Sequence, residues 1–175
     1  DLYRPRADGR HPGLLVCLGV VPFGVDHPQV ARLGEALARS GFAALLHWSP
    51  ATRDLRLAPA DLGPIVAAYQ ALIDQPFVDA PRSGLMGVCI GGSFALIAAA
   101  DPAIRDRVSF LAAHSPYSSL RTLAVDIASG TRRLGDEVEP WAANWVAADA
   151  DGGASYLGGN LLLRPTAARF DTTFP

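Results

Sequence analysis

Short, almost wholly apolar runs alternate along the chain with stretches of helical period. Residues 13–19 (GLLVCLG) form one such run, and its lack of in–out alternation suits a strand buried on both faces of a parallel sheet. After VVPFGVD, the segment HPQVARLGEALARS places Val30, Leu33, Ala36 and Leu37 on one helical face, and Gly41 is the stop signal. GFAALL repeats the strand signal over 41–46, and residues 47–56 read as loop because Ser49, Pro50 and Thr52 break any period. Asp61 is a candidate N-cap for a helix through Ile73 with Ile65, Val66, Tyr69, Leu72 and Ile73 on one stripe, ended by QPFVDAPRS. A third strand is expected over 84–88, a small-residue helix over 91–100 (GGSFALIAAA), and a fourth strand over 108–113 ending at His114. Strands interleaved with helices in this way leave no room for hairpins and predict right-handed crossovers onto a mostly parallel sheet with helices on both faces. The fold class is α/β, with its core in residues 1–117.

Beyond Pro116 the pattern changes. Residues 118–128 and 136–148 read as helical, the second with Trp141 and Trp145 at i,i+4 spacing, and together they are expected to form a helical cap or excursion over 118–148. The Trp pair at that spacing is better explained by packing than by an acyl pocket. Residues 149–175 are rich in Gly, Asp and Thr, with a short apolar patch at 161–163, and read as irregular, the end of a truncated core. No repeat and no linker is visible.

Charge and composition remove several function classes. The 15 basic against 17 acidic residues leave a net charge of -2, too little positive field to neutralise a phosphate backbone, so nucleic acid is not an expected partner. Every basic residue is Arg, which excludes a lysine Schiff base and a P-loop lysine. The two cysteines, Cys17 and Cys89, have no CxxC or Cys/His spacing, so neither a zinc site nor a disulfide framework is expected, and a reducing, cytoplasmic setting fits. No apolar run is long enough to span a bilayer, and residues 1–12 lack the apolar core of a signal peptide, so a soluble chain without membrane contact is expected. A chain opening at Asp1 rather than Met reads as a processed product, a trimmed chain or a fragment.

The chemistry concentrates in Gly87-Val88-Cys89-Ile90-Gly91-Gly92, at the junction of the third strand and the small-residue helix. A nucleophile in a sharp strand-to-helix turn has a strained backbone and needs glycines beside it, and Gly87 and Gly91 hold those places. Cys89 is then at a helix N-terminus, where exposed N–H groups favour thiolate over thiol. The Ile90 N–H is expected to face a developing oxyanion. A second donor should come from the loop after the first strand, through Val20 or Val21, because Pro22 has no N–H. Cys17, in mid-strand among Leu15, Val16 and Leu18, reads as an inert core residue. The run Gly91-Gly92-Ser93 lacks both the dinucleotide fingerprint and the Walker lysine.

In this context the G-x-C-x-G-G arrangement resembles the dienelactone hydrolase branch of the α/β-hydrolase superfamily. The likeness runs from residue 2 to about residue 117, through the DLYRP opening, PFGVD, GFAALL and the elbow, in the family's order. The resemblance implies a three-layer fold whose first strand lies between the second and third. It also implies hydrolysis of a carboxylic ester or lactone through a Cys-acyl intermediate, with a His base, an Asp that orients it, and no metal or cofactor. It carries onto this chain Cys89 as nucleophile and Ile90 as an oxyanion donor. In the family the base follows the last strand, whereas the one His after Cys89 here is His114, at the end of the very next strand. The family's base and acid are therefore expected downstream of these 175 residues. His114 itself is either the base of a Cys/His dyad or a hydrogen-bonded histidine under a cap. His47 is expected to line the same cleft, and His11 and His27 read as surface loop residues; none has metal-ligand spacing. The rival to an ester or lactone hydrolase is a non-catalytic, hydrolase-derived fold that binds a small apolar carbonyl compound.

Overall fold

The computed structural model describes residues 1–19, 26–49, 59–119, 122, 125 and 129–140. The order of elements is β1 (Leu2–Tyr3), β2 (His11–Cys17), α1 (Pro28–Arg39), β3 (Ala43–His47), α2 (Leu62–Ile73), β4 (Val78–Val88), α3 (Ile90–Ala99) and β5 (Phe110–His114). The sheet runs β1-β3-β2-β4-β5, parallel throughout except for the antiparallel β1 edge. The first parallel strand thus lies between the second and third, as expected. The path from β2 to β3 turns one way and the path from β3 to β4 crosses to the other side of β2, so the topological switch point lies between the carboxyl ends of β2 and β4.

The three layers follow from the apolar run of β2. Leu14 and Val16 pack with Val30, Ala44 and Leu46 under α1. Leu15 and Cys17 face the other way, into a core with Ile65, Tyr69, Leu72, Leu85, Phe94 and Ala98 from α2, β4 and α3. The predicted stripe on α2 is the buried one, residue for residue. Tyr69 is fully buried, and its hydroxyl donates to the Arg107 carbonyl at 2.9 Å, which satisfies the one polar atom it takes inside. Among the described residues no helix is long and apolar enough to cross a membrane.

Several local expectations differ from the structure. Asp61 makes no capping bond to α2: its backbone is helical, at the end of a short 3-10 turn (Pro59–Asp61), and its carboxylate accepts from the Ser49 hydroxyl instead. His27 is not a plain loop residue, because its Nδ1 accepts the Gln29 N–H at 3.2 Å and caps α1. His11 opens β2, its Nε2 3.0 Å from the Ala7 carbonyl. The helical reading of 136–148 fails at its start, where β6 (Thr131–Leu134) and β7 (Glu137–Pro140) form an antiparallel hairpin with Gly135 at φ 62° in its turn. Thr122, Val125 and Ser129 have helical backbone; Trp141, Trp145 and the 161–163 patch lie outside the described residues.

β4 begins at Val78, well before the expected 84–88, because Ser83 repairs the ladder where its register with β2 shifts between Pro12 and Leu14. The fully buried Ser83 hydroxyl accepts the Gly13 N–H and donates to the Asp79 carbonyl, both at 2.8 Å. Ser83→Ala leaves the buried Gly13 N–H without its partner and takes a donor from the half-buried Asp79 carbonyl. It is expected to lower unfolding free energy by about 2–3 kcal/mol, read as a shifted urea midpoint at unchanged slope.

Candidate active site

β4 reaches its carboxyl end at Val88, and the chain turns within one residue into α3. Cys89 is that residue. Its backbone is at φ 56° and ψ -128°, a region that side-chain-bearing residues leave unless their surroundings hold them there. The surroundings are visible on both sides. The Cys89 N–H donates to the His114 carbonyl at 2.9 Å, and the Cys89 carbonyl accepts the Gly92 N–H at 2.9 Å and, less closely, the Ser93 N–H at 3.4 Å.

Glycines let strand, helix and neighbouring loop meet at this point. A β-carbon on Gly91 would overlap the carbonyl oxygen of Cys17 and lie 2.8 Å from the Leu18 carbonyl carbon, so the first turn of α3 rests on the end of β2. A β-carbon on Gly19 would come 2.8 Å from the Val88 carbonyl oxygen and 3.1 Å from Cys89 Cβ, so the loop after β2 passes directly beside the turn. That is the loop from which a second oxyanion donor is expected. Val20 and Val21, with Pro22, lie outside the described residues.

Cys89 is partly exposed at the N-terminus of α3, and Ile90 is the first residue of the helix, with its side chain buried. A first-turn N–H has no intrahelical acceptor, and among the described residues the Ile90 N–H meets none elsewhere. An uncommitted donor adjacent to the cysteine is what an oxyanion requires. His114 closes β5 in register with Val88, and its side chain is exposed. Its carbonyl, rather than its imidazole, makes the observed bond to Cys89.

His47 ends at the same edge of the sheet but is paired with Cys17, which in turn pairs with Gly87. One whole strand therefore separates it from β4, roughly 10 Å at two strand spacings. Burial holds the His47 imidazole below its ordinary range, against the pull of the Asp61 carboxylate, and its Nε2 is enclosed with no hydrogen-bond partner among the described residues. Among those residues no group of His, Cys, Asp or Glu is arranged to hold a metal ion. The residue that reading the chain missed is Ser93, whose buried hydroxyl bonds to both backbone groups of Tyr117. Its signal was a lone hydroxyl in the otherwise apolar GGSFALIAAA.

The two cysteines differ in burial, Cys17 being buried and Cys89 partly exposed. Cys17 is 3% exposed, and burial pushes its thiol up to about 12, so it is held as the unreactive thiol. Iodoacetamide should label Cys89 faster than Cys17 by about 100-fold or more, followed by mass spectrometry of the peptides. Equal rates would count against an accessible elbow.

A mostly parallel sheet with its switch point beside this strand-to-helix turn fits the hydrolase class of α/β proteins, and likeness in sequence shows that the chain belongs to the α/β-hydrolase superfamily. No protein-family model matches it. In sequence it is similar to a probable 2-oxo-3-(5-oxofuran-2-ylidene)propanoate lactonase of Bradyrhizobium sp., with 30% identity over 171 residues covering 85% of this chain and 67% of the relative. In structure it is similar to the α/β hydrolase GrgF of Penicillium sp. sh18 (TM-score 0.53, 20% identity, 73% of this chain and 45% of that one). It is similar also to the sugar hydrolase YeeB of Lactococcus lactis (TM-score 0.52, 20% identity, 68% and 49%). The chain therefore spans less than half the length of these two solved hydrolases.

Proposed function

We propose that the protein is a hydrolase of the dienelactone hydrolase type that opens a carboxylic ester or lactone through Cys89. The observation that carries this reading is the backbone of Cys89 at φ 56°, which turns a partly exposed thiol out of the strand at the start of α3. In the reaction the sulfur attacks the carbonyl carbon and the C–O bond to the leaving alcohol breaks. A thioester forms, and water cleaves it to the free acid and the thiol. In a lactone the released alcohol stays tethered to the acyl group. The negative oxygen of each tetrahedral intermediate is met by the Ile90 N–H, with Val20 or Val21 supplying the second donor. The thiol proton goes to a base, which passes it to the oxygen of the departing alcohol; among the described residues the candidate base is His114, which closes the strand paired with β4. The similarity to a probable lactonase supports a lactone or ester as substrate. This mechanism uses no cofactor.

The test is hydrolysis of short nitrophenyl esters and of an unsaturated five-membered lactone by the wild-type chain and by Cys89→Ala. Nitrophenol release and ring opening that vanish in the variant support the reading. Ester binding without release, or release at equal rates from both chains, leaves a binding scaffold and overturns it.

A further inference from the structure

Two residues in the described chain other than glycine have positive φ: Cys89 at 56° and Ser115 at 51°. They are neighbours in space, because the Cys89 N–H is bonded to the carbonyl of His114, the residue just before Ser115. Strained residues persist where contacts over-determine them, so the pair needs an anchor that ties the segment after β5 to the start of α3. Ser93 supplies one. Its hydroxyl donates to the Tyr117 carbonyl and accepts the Tyr117 N–H, each at 2.8 Å, and uses its donor and one acceptor on a single residue. Between the two strained positions and this anchor, Pro116 lies against the helix: a β-carbon on Gly92 would come within 3.3 Å of Pro116 Cβ. Residues 114–117 thus wrap the first turn of α3, held at one end by the His114 carbonyl and at the other by Ser93.

We propose that Ser93 is a positioning residue for the nucleophile turn, its hydroxyl locking residues 114–117 onto α3 so that the His114 carbonyl keeps Cys89 at positive φ. The proposal rests on the reading of Cys89 as the nucleophile. Ser93 touches no reacting atom; it acts through Tyr117 and His114. Losing the hydroxyl frees the wrapped segment, and the cysteine then spends part of its time in ordinary backbone conformations that withdraw the sulfur from the helix N-terminus.

The experiment is the iodoacetamide labelling rate of Cys89, with amide hydrogen exchange residue by residue, in wild type, Ser93→Ala and Ser93→Thr. In Ser93→Ala the Cys89 labelling rate is expected to fall roughly fivefold to tenfold, the scale set by losing the hydroxyl's two hydrogen bonds to Tyr117, part of which water replaces. Exchange should quicken at the Cys89 and Tyr117 amides while Leu15 and Val16 in the central strand stay protected, and Ser93→Thr should recover the rate. If Cys89 labels no faster than Cys17 in wild type, the nucleophile reading falls and takes this proposal with it. If wild-type Cys89 is fast and Ser93→Ala equally fast, the positioning role alone is overturned. Quickened exchange at Leu15 and Val16 overturns it too, by showing a global loss of stability.

Discussion

Cys89→Ala is expected to lower hydrolysis of nitrophenyl esters and lactones by about 10³-fold or more, with substrate affinity little changed. The size follows from what is removed. Without the sulfur no acyl-enzyme forms, and only the donors around the turn remain to act on a bound water. The fold should tolerate the change. Cysteine and alanine both carry a β-carbon, so both are strained alike at φ 56°, and the contacts that hold this backbone are main-chain bonds to His114, Gly92 and Ser93. A melting temperature within a few degrees of wild type is therefore expected. Loss of activity at preserved stability assigns the defect to chemistry; retained activity would remove Cys89 from the reaction.

The second large effect is expected from Gly91→Ala. The added methyl would overlap the Cys17 carbonyl oxygen and lie 2.8 Å from the Leu18 carbonyl carbon, and these are backbone atoms of the central strand and of the residue that follows it. Neither a rotamer change nor a flexible side chain can relieve that contact. The end of β2 and the first turn of α3 must move apart, at a cost of about 3 kcal/mol or more. Because the same turn positions Cys89 and the Ile90 N–H, labelling of the cysteine and turnover should fall even in the fraction that remains folded. Gly63→Ala is the control. Gly63 is exposed in the first turn of α2 with open space where a β-carbon would go, and the substitution there should change stability by less than about 0.5 kcal/mol, because the entropy gain over glycine is offset by crowding of the new β-carbon against the Pro64 ring. The urea midpoint should fall in Gly91→Ala and stay close to wild type in Gly63→Ala.

How far the chain could be read depends on how local each signal is. The run 13–19 is apolar on both faces because β2 is central, so its burial was legible before any partner was known. The same holds for α2, whose stripe repeats at helical spacing. β4 was legible only over its second half. Its first half carries Asp79, Pro81 and Arg82, a loop composition by any local rule, and it becomes strand because β2 lies alongside and Ser83 fills the register shift. β1, two residues long, exists only through its pairing with β3. The hairpin at 131–140 was misread at its second strand because Trp141 and Trp145, spaced for a helix, drew the helical reading back over Glu137–Pro140. Gly130 and Gly135 at positive φ and the antiparallel backbone pairing of residues 131–134 with 137–140 decide for strands instead.

The candidate site divides in the same way. Glycine on either side of Cys89, at the seam between an apolar run and a small-residue helix, is enough to announce a strained turn, since few other residues permit so close an approach. By itself the order of residues therefore determined the alternation of layers, the nucleophile candidate and the adjacent N–H. Only the tertiary structure decided what holds that turn in place: the His114 carbonyl from a neighbouring strand, Gly19 from the loop after β2, and the Ser93 hydroxyl reaching Tyr117. These partners are about 20 to 70 positions away from the residues they contact, and no periodicity or local propensity carries information over such a distance until the sheet has brought its strands side by side.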